Sequence, residues 1–531
     1  MPLSLFSIPT IVLFLSVFVS YYCIIYYNKA VPMANNGILF ISNAAKAHKL
    51  CSKISKCVKN VLYINFNSGP ESTLSIVNKQ IIDIYSKVPK NMQIDIRLML
   101  KPRETGNKIK TNNAIELIMY DKDLANEVDN LKYSLTNKRE NVDIESVENE
   151  KNAAEEVKED VKVYDYVALG GTFDRLHNGH KILLSQAVLR AKKHVTVGVT
   201  DLNMIQSKKL WELIQPIEIR IKAVLDFLTD INPDLEYNVL PIQDVYGPTK
   251  DNPNFQLLVV SEETSRGAIK INEKRKENGL NPLDVYTIGL AEDTNQQSYE
   301  EEAKLSSSNQ RMRLLGTIIR EPRPNPNIPK HPYVIGLAGG IASGKSSITE
   351  KLKLKGAAIL NCDIIAHELY KPGLPLNHTI AESFGSDVIT DEGEVDRRKL
   401  GATVFSDKSQ LQRLNSLVWP AVIQEAQKRI KALGEAGSSV VVMEAAVMVQ
   451  AGWYKYCHQL WTVIIPPEEA VKRLQARNNL SEAEAKQRVS AQPSNQEQVA
   501  LANVVFSPYW SYEHTQGQVD RAWENLQIYL Q

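Results

Sequence analysis

Cysteine is scarce in this sequence and poorly placed for cross-linking. The 531 residues include only 5 cysteines, Cys23, Cys51, Cys57, Cys362 and Cys457, an odd number with no CxxC pair. That excludes a disulfide framework and a cysteine-based structural zinc site, and it points to a reducing compartment. An excess of either charge is also absent: 62 Lys and Arg stand against 61 Asp and Glu, for a net charge of +1. No basic field therefore argues for nucleic acid and no acidic field for a solvating tail, so partners have to be sought in local patterns. Long uncharged runs are confined to Leu3 to Tyr27, a stretch long enough to cross the hydrocarbon core of a bilayer. No basic residue precedes it, no clear small-residue cleavage site follows, and Lys29 lies just beyond. These flanks fit an uncleaved membrane anchor, or an extension ahead of an alternative start at Met33, better than a cleaved signal. Histidine is sparse as well, at 9 residues, yet two of the nine stand three apart at His177 and His180.

A chain of this length is too long for one hydrophobic core and divides into several domains. After the apolar segment 1–32, residues 33–120 hold short apolar runs ("GILFIS", "VLYINF", "IDIRLML", "AIELIMY") around a helical pattern, which predicts a small α/β unit. Charges dominate 121–162, which reads as a solvated helix or disordered linker. In 163–320 a strand "YVALGGTF", a helix "HKILLSQAVLRAKK" and a strand "HVTVGVT" make a βαβ unit of a parallel nucleotide-binding sheet. The proline-rich "EPRPNPNIPKHP", residues 321–332, suits neither helix nor central strand and separates this domain from 333–531, where a second strand, loop and helix begin. The expected fold class is α/β, with two successive nucleotide-binding parallel-sheet domains behind a small N-terminal α/β unit. No internal repeat is legible.

"GGTFDRLHNGH", residues 170–180, places both histidines where a strand ends and a helix begins. Helix-terminal N–H groups favour phosphate there, and Gly170, Gly171 and Gly179 admit it close to the backbone. Two imidazoles at that point can donate hydrogen bonds to a phosphorus centre gathering negative charge. A His pair at this spacing also serves simply to cap and pack a helix, so the surrounding sequence has to separate the two readings.

Thr172, Phe173, Asp174, His177, Gly179 and His180 resemble the first signature of the nucleotidyltransferase superfamily. "KLSSSNQRMRLLG", with Ser306, Ser307, Ser308 and Arg311, resembles its second, a serine run and an arginine that hold the β and γ phosphates. "VGVTDLNMIQSKKLWELIQPIEIR" and "LLVVSEETSRG" look like the eukaryotic type of phosphopantetheine adenylyltransferase over about residues 164–320. The resemblance implies that Lys208, or its neighbour Lys209, binds substrate phosphates. It also implies that Ser261, Glu262, Glu263 and Thr264 line the nucleotide side.

"GGIASGKS" satisfies the P-loop pattern, in which backbone N–H groups cradle phosphates, Lys345 reaches the β and γ phosphates and Ser346 coordinates Mg2+. Gly339, Gly340, Ile341, Ala342, Ser343, Gly344, Lys345, Ser346 and Ser347 form the expected ATP cradle. With "NCDIIAHELY", "FGSDVITDEGEVDRRKLGATVF" and "RLQARNNLSEAEAKQRVSAQ", it makes residues 333–530 resemble dephospho-CoA kinase. That resemblance implies Asp363 as the base for the acceptor hydroxyl, where the residue could instead cap the following helix. It implies Arg477 and Arg488 as lid cations, with Arg477 at the ATP. Trp419, Glu444 and Ser507 depart from the bacterial pattern of His, Asp and Asn, which leaves acceptor binding open.

The implied substrates are ATP, 4′-phosphopantetheine and dephospho-CoA, with no nucleic acid. The expected chemistry is adenylyl transfer followed by phosphorylation of the product's ribose 3′-hydroxyl. The expected location is cytoplasmic, or at a membrane or mitochondrion held there by residues 3–27. Two other readings are a different nucleotidyltransferase joined to a generic small-molecule kinase, and an anchored scaffold with decayed nucleotide sites. The intact Lys345, His180 and Arg311 speak against the scaffold.

Overall fold

The computed structural model describes residues 33–42, 54, 57–66, 74–87, 94–100, 108–147, 161–289, 292, 293, 296–405 and 407–530. The expected anchor, Leu3 to Tyr27, lies outside them. Among the described residues no helix is long and apolar enough to cross a membrane.

Three five-stranded sheets follow one another along the chain. The first contains β1 (Ala34–Ile41), β2 (Val58–Phe66), β3 (Asp95–Leu98), β4 (Ile115–Asp121) and β5 (Lys138–Val147), in the order β3-β2-β1-β4-β5. The second contains β6 (Tyr164–Gly171), β7 (Ala191–Thr200), β8 (Glu236–Ile242), β9 (Leu257–Ser261) and β10 (Asp284–Ile288), in the order β10-β9-β6-β7-β8. The third contains β11 (Tyr333–Gly339), β12 (Ala358–Asn361), β13 (Val440–Glu444), β14 (Gln459–Val463) and β15 (Val504–Phe506), in the order β12-β13-β11-β14-β15. Neighbouring strands are parallel in all three. Helices cover both faces of such a sheet, so the central strands are apolar in continuous runs: Val440 to Met443 on β13 are all buried. The α/β expectation holds for each of the three sheets.

Two expectations are corrected. Residues 121–147 are not linker: a turn of helix (Lys122–Glu127), a short helix (Val128–Ser134) and β5 complete the first sheet, with Leu117 opposite Asp143 and Met119 opposite Glu145. β5 buries only Val142, because it is an edge strand, and charge on an edge discourages pairing with other chains. A repeat is also present at the level of topology. Counted from its own first strand, the second sheet has the same strand order as the first.

The chain folds into two compact units. The first takes the described residues within 33–205, 215–293 and 303–307, and the second those within 206–214, 296–302 and 308–530. In the first unit one core joins two sheets, with Leu62, Ile84 and Tyr85 packed in the same cluster as Leu184, Val188 and Phe227. In the second unit the stretch 321–332 forms no helix or strand, and separate clusters cover the two faces of the sheet. A further cluster draws Leu213 and Leu315 in against Ile464, Val499, Ala502 and Val505.

Gly316 closes that cluster. Its φ is +76°, its N–H donates to the Val505 carbonyl at 2.9 Å, and a Cβ there would lie 2.0 Å from the Gln518 carbonyl oxygen. Left-handed strain and overpacking together should make Gly316→Ala cost about 2–4 kcal/mol. A fall in the chemical denaturation midpoint checks this, and an unchanged midpoint contradicts the contact.

Candidate active sites

In the first unit the chain leaves β6 toward β7 on one side, and β9 flanks β6 on the other. The crevice outside the carboxyl ends of such strands is where α/β sheets hold ligands. Gly170 and Gly171 end β6, and the chain then turns sharply: Phe173 and Arg175 both adopt left-handed φ, 50° and 49°. Non-glycine residues in that conformation need outside support. Asp174, fully buried, supplies it by accepting from the Gln215 N–H at 3.0 Å and pairing with Arg175 at 2.9 Å. Its carbonyl accepts from the Ser307 hydroxyl at 2.9 Å. Thr172 faces Thr200, hydroxyl to hydroxyl at 3.1 Å.

A residue that the sequence reading missed completes the turn. Arg220, 2% exposed, donates to the carbonyls of Thr172 (2.8 Å), Thr200 (3.0 Å) and Gln215 (2.9 Å), tying the ends of β6 and β7 to the loop. The available signal was an arginine in the first turn of the helix that starts after Pro216 (Ile217–Ile231).

The turn delivers His177 to the N-cap of the helix Asn178–Arg190, but the His177 side chain makes no capping hydrogen bond. Its ring stacks on that of His180 with centroids 3.8 Å apart, and His180 in turn lies against Phe173 at 5.3 Å. Burial first, then the neighbouring His180, hold the His177 imidazole well below the ordinary value of 6.5. Its Nδ1 is buried without a hydrogen-bond partner. His177 therefore rests as a neutral imidazole stacked on His180 and can donate to developing negative charge without being a cation itself. Gly179 is required by this stack, because a Cβ there would press on the His177 ring at 3.1 Å. At Gly170 the nearest atoms stand 3.6 and 3.7 Å from a Cβ, so packing within the protein does not demand that glycine. Ser261 and Thr264, at the end of β9, form an exposed capping turn, and Glu263 pairs with Lys304.

In the second unit Lys208, Ser308 and Arg311 come together. Arg311, 2% exposed, donates from Nε to the Lys209 carbonyl at 2.9 Å and from Nη2 to the Ser308 hydroxyl at 3.4 Å. Burial and then the Arg311 cation lower the pKa of Lys208. Lys209 turns instead toward Trp510, 5.8 Å from its ring. Of the two lysines, Lys208 is therefore the one paired with Arg311, and a polyanion would relieve the repulsion between them. Ser306 and Ser307 belong to the first unit.

The P-loop follows β11 and opens the helix Lys345–Leu354. Gly339 (φ +154°) and Gly344 (φ +94°) are fixed by space, since a Cβ would come within 2.7 Å of the Val463 carbonyl or of Pro508. Lys345 Nζ donates to the carbonyls of Gly339 (2.8 Å) and Gly340 (3.2 Å), and the Ser343 hydroxyl is buried without a partner. Burial lowers the Lys345 pKa, Glu444 and Asp363 oppose that, and Arg477 adds to it. Arg477 thus acts on the P-loop lysine, whereas Arg488 interacts with Glu484. Arg473, which the sequence reading missed, donates to the Pro508 carbonyl at 3.0 Å and pairs with Glu469.

Asp363 is not the cap of its helix. Asn361 fills that position, its side chain accepting from the N–H groups of Asp363 (2.9 Å) and Ile364 (3.1 Å), which leaves the exposed Asp363 carboxylate available for other chemistry. Glu444 ends β13, accepts from Thr349 and Asn361 at 3.3 Å each, and is raised in pKa chiefly by burial. Ser346, Asn361 and Glu444 line one cavity of about 410 Å3. On the other side of the loop a cavity of about 580 Å3 is lined by Gly340, Ile341, Ser343, Gln492 and Trp211. Trp419 packs at the edge of the core, and Ser507, 1% exposed, exchanges backbone hydrogen bonds with the Gln518 side chain.

The depressed His177 value has a sign that can be checked. Between the unfolded value near 6.5 and the lower folded value, the unfolded chain binds a proton that the native chain does not, so stability falls as pH drops through that window. The His177 ring resonances should therefore stay those of a neutral imidazole from about pH 7.5 to about pH 6. Titration in that range contradicts the burial.

Two family models match the chain: "Cytidylyltransferase-like" over residues 168–321 and "Dephospho-CoA kinase" over residues 333–509. The dephospho-CoA kinase of Carboxydothermus hydrogenoformans is 39% identical over 186 residues, 35% of this chain and 90% of that protein. The dephospho-CoA kinase of Geobacter sulfurreducens is 34% identical over 190 residues, 36% of this chain and 96% of its own. A solved dephospho-CoA kinase from Campylobacter jejuni aligns with 37% of this chain and 97% of its own, at 22% identity and a TM-score of 0.30. Through residues 333–509 the chain belongs to the dephospho-CoA kinase family, and the cytidylyltransferase-like domain ahead of it completes the arrangement of a fused coenzyme A synthase.

Proposed function

We propose that the chain performs two consecutive reactions. In the first, the phosphate of 4′-phosphopantetheine attacks the α-phosphorus of ATP, giving dephospho-CoA and pyrophosphate. In the second, the ribose 3′-hydroxyl of dephospho-CoA takes the γ-phosphoryl group of a second ATP. One observation carries the reading: a stacked histidine pair at the end of a parallel strand precedes a P-loop that belongs to the dephospho-CoA kinase family.

For the first step, His177 and His180 donate to the α-phosphate as it becomes pentacoordinate. Gly170, Gly171, Thr172, Phe173 and Gly179 keep the backbone close to ATP, and Lys208, Arg311 and the serines 306–308 take the outer phosphates. No covalent enzyme intermediate is required, and the rate comes from position and charge. For the second step, Asp363 accepts the proton of the 3′-hydroxyl, Lys345 and Arg477 hold the transferring group, and the loop from Gly339 to Ser347 binds the phosphates. The Ser346 hydroxyl and the Glu444 carboxylate share a cavity and are hard oxygen donors, as Mg2+ demands. Such an ion would supply charge neutralisation between the β and γ phosphates. We further place the enzyme in the cytoplasm, with residues 3–27 as a possible tether to a membrane such as the mitochondrial one.

The test is product formation by the full chain from 4′-phosphopantetheine, ATP and magnesium. Wild type should make CoA. His180→Ala should stall before dephospho-CoA, with kcat down about 100-fold or more, yet phosphorylate dephospho-CoA when it is supplied. Lys345→Ala should accumulate dephospho-CoA. If the wild type leaves 4′-phosphopantetheine untouched while transferring AMP or CMP elsewhere, the chain is another nucleotidyltransferase joined to a dephospho-CoA kinase.

A further inference from the structure

The helix that carries the histidines is held by a domain to which the reactions above assign no task. His177 and His180 are three residues apart, and so are Asn178 and Lys181, one step further along. Asn178 Nδ2 donates to the carbonyl of Tyr85, in the helix Leu74–Lys87 of the N-terminal α/β unit, at 2.9 Å. Lys181, 5% exposed, pairs with Asp95 at 2.6 Å and donates to the Ile96 carbonyl at 3.0 Å, both on β3. Its ammonium lies 5.9 Å from the centre of the Tyr85 ring.

The contact continues inward. Arg97 binds Asp95 at 2.9 Å, pairs with Asp230 and donates to the Asp226 carbonyl at 3.1 Å. Asp230, 1% exposed, also accepts from the Tyr63 hydroxyl at 2.9 Å and the Asn112 N–H at 2.6 Å. The Leu100 N–H donates to the Ile231 carbonyl at 2.7 Å. Burial opposes ionisation of Asp95, but the Lys181 and Arg97 cations win and hold its carboxyl below the ordinary range. The N-terminal sheet has the strand order of the sheet it packs on, but not its chemistry. Where β6 runs into the two-histidine sequence, β1 runs into "SNAAKAHKL", and Ser42 there donates to Asp121 at 2.8 Å.

Consecutive helical residues are turned by about 100° from one another, so holding Lys181 fixes the direction of His180, while Asn178 anchors the first helical residue, directly bonded to the N-cap His177. We propose that the N-terminal sheet is a positioning element for the two histidines, acting through Asp95–Lys181 and the hydrogen bond from Asn178 to Tyr85. Asp95 and Lys181 are positioning residues for adenylyl transfer and have no part in the kinase step. The proposal rests on reading the histidine pair as the adenylyl-transfer site.

The full chain carrying Asp95→Asn, Lys181→Met or Lys181→Arg tests it, with the two steps assayed separately and the histidine side chains followed by NMR. Asp95→Asn and Lys181→Met should each lower kcat for dephospho-CoA formation about 10-fold, with KM for ATP within about 2-fold of wild type. Phosphorylation of supplied dephospho-CoA should stay within about 2-fold of wild type, and Lys181→Arg, which keeps the ion pair, should recover most of the lost kcat. The His177 and His180 ring resonances should move in Asp95→Asn and in Lys181→Met and stay near their wild-type positions in Lys181→Arg. Wild-type kcat in the Asn and Met variants, equal loss of both activities, or unmoved ring resonances overturns the proposal. If the wild type itself makes no dephospho-CoA, the adenylyl-transfer reading has failed, and the ring resonances still decide whether β3 sets the histidines.

Discussion

A polyphosphate carries too much charge to be buried by apolar packing, so it must sit where backbone N–H groups point outward and no side chain intervenes. A parallel sheet offers that position at the carboxyl end of a central strand, beside the point where the strand order reverses. Both candidate sites are built there, one after β6 and one after β11, and the glycines, cations and turns around each serve that placement. The solutions differ. After β11 the loop is shaped by its own backbone: Gly339 and Gly344 take conformations in which any Cβ collides, and Lys345 closes the loop by binding its carbonyls. After β6 the chain turns once through Phe173 and Arg175 and presents side chains instead, a stacked pair of imidazoles.

This contrast suits the two proposed reactions. Transfer of a γ-phosphoryl group needs charge neutralised over three oxygens and an acceptor proton removed, which suits a P-loop, the Ser346 and Glu444 oxygens that would hold a cation, and the exposed Asp363 carboxylate. The proposed attack on an α-phosphorus needs donors that strengthen as charge appears at that one centre, a role that suits a neutral imidazole such as His177. Asp174 and Arg220 brace the turn that leads to the histidines, and Asn178 and Lys181 on their helix bind the N-terminal sheet and its helix.

Much of this was legible in the sequence because local motifs sit at fixed places in the fold. The strand before Gly171, the helix after His177, the P-loop and the α/β class all follow from residues that are neighbours in the chain. What escaped depends on residues far apart. β5 read as linker because an edge strand is allowed the charges of "KRENVDIESV". The shared strand order of the first two sheets leaves no trace in residue identity, since apolar strands of many sequences satisfy it. Asp363 stood as either base or cap until Asn361, two residues earlier, was seen to do the capping. Arg220 and Arg97 looked like ordinary helix and strand cations, and only the fold surrounds them with carbonyls and carboxylates.

The central claim is that one chain moves two different phosphorus atoms of ATP onto one product. Isotope transfer tests it most directly. The full chain would be given 4′-phosphopantetheine with ATP labelled at the α-phosphate in one reaction and at the γ-phosphate in another, and the CoA formed would be cleaved to locate the label. The account predicts α-label in the diphosphate bridge and γ-label in the 3′-phosphate. Product that carries γ-label alone, formed only when dephospho-CoA is supplied, would contradict it.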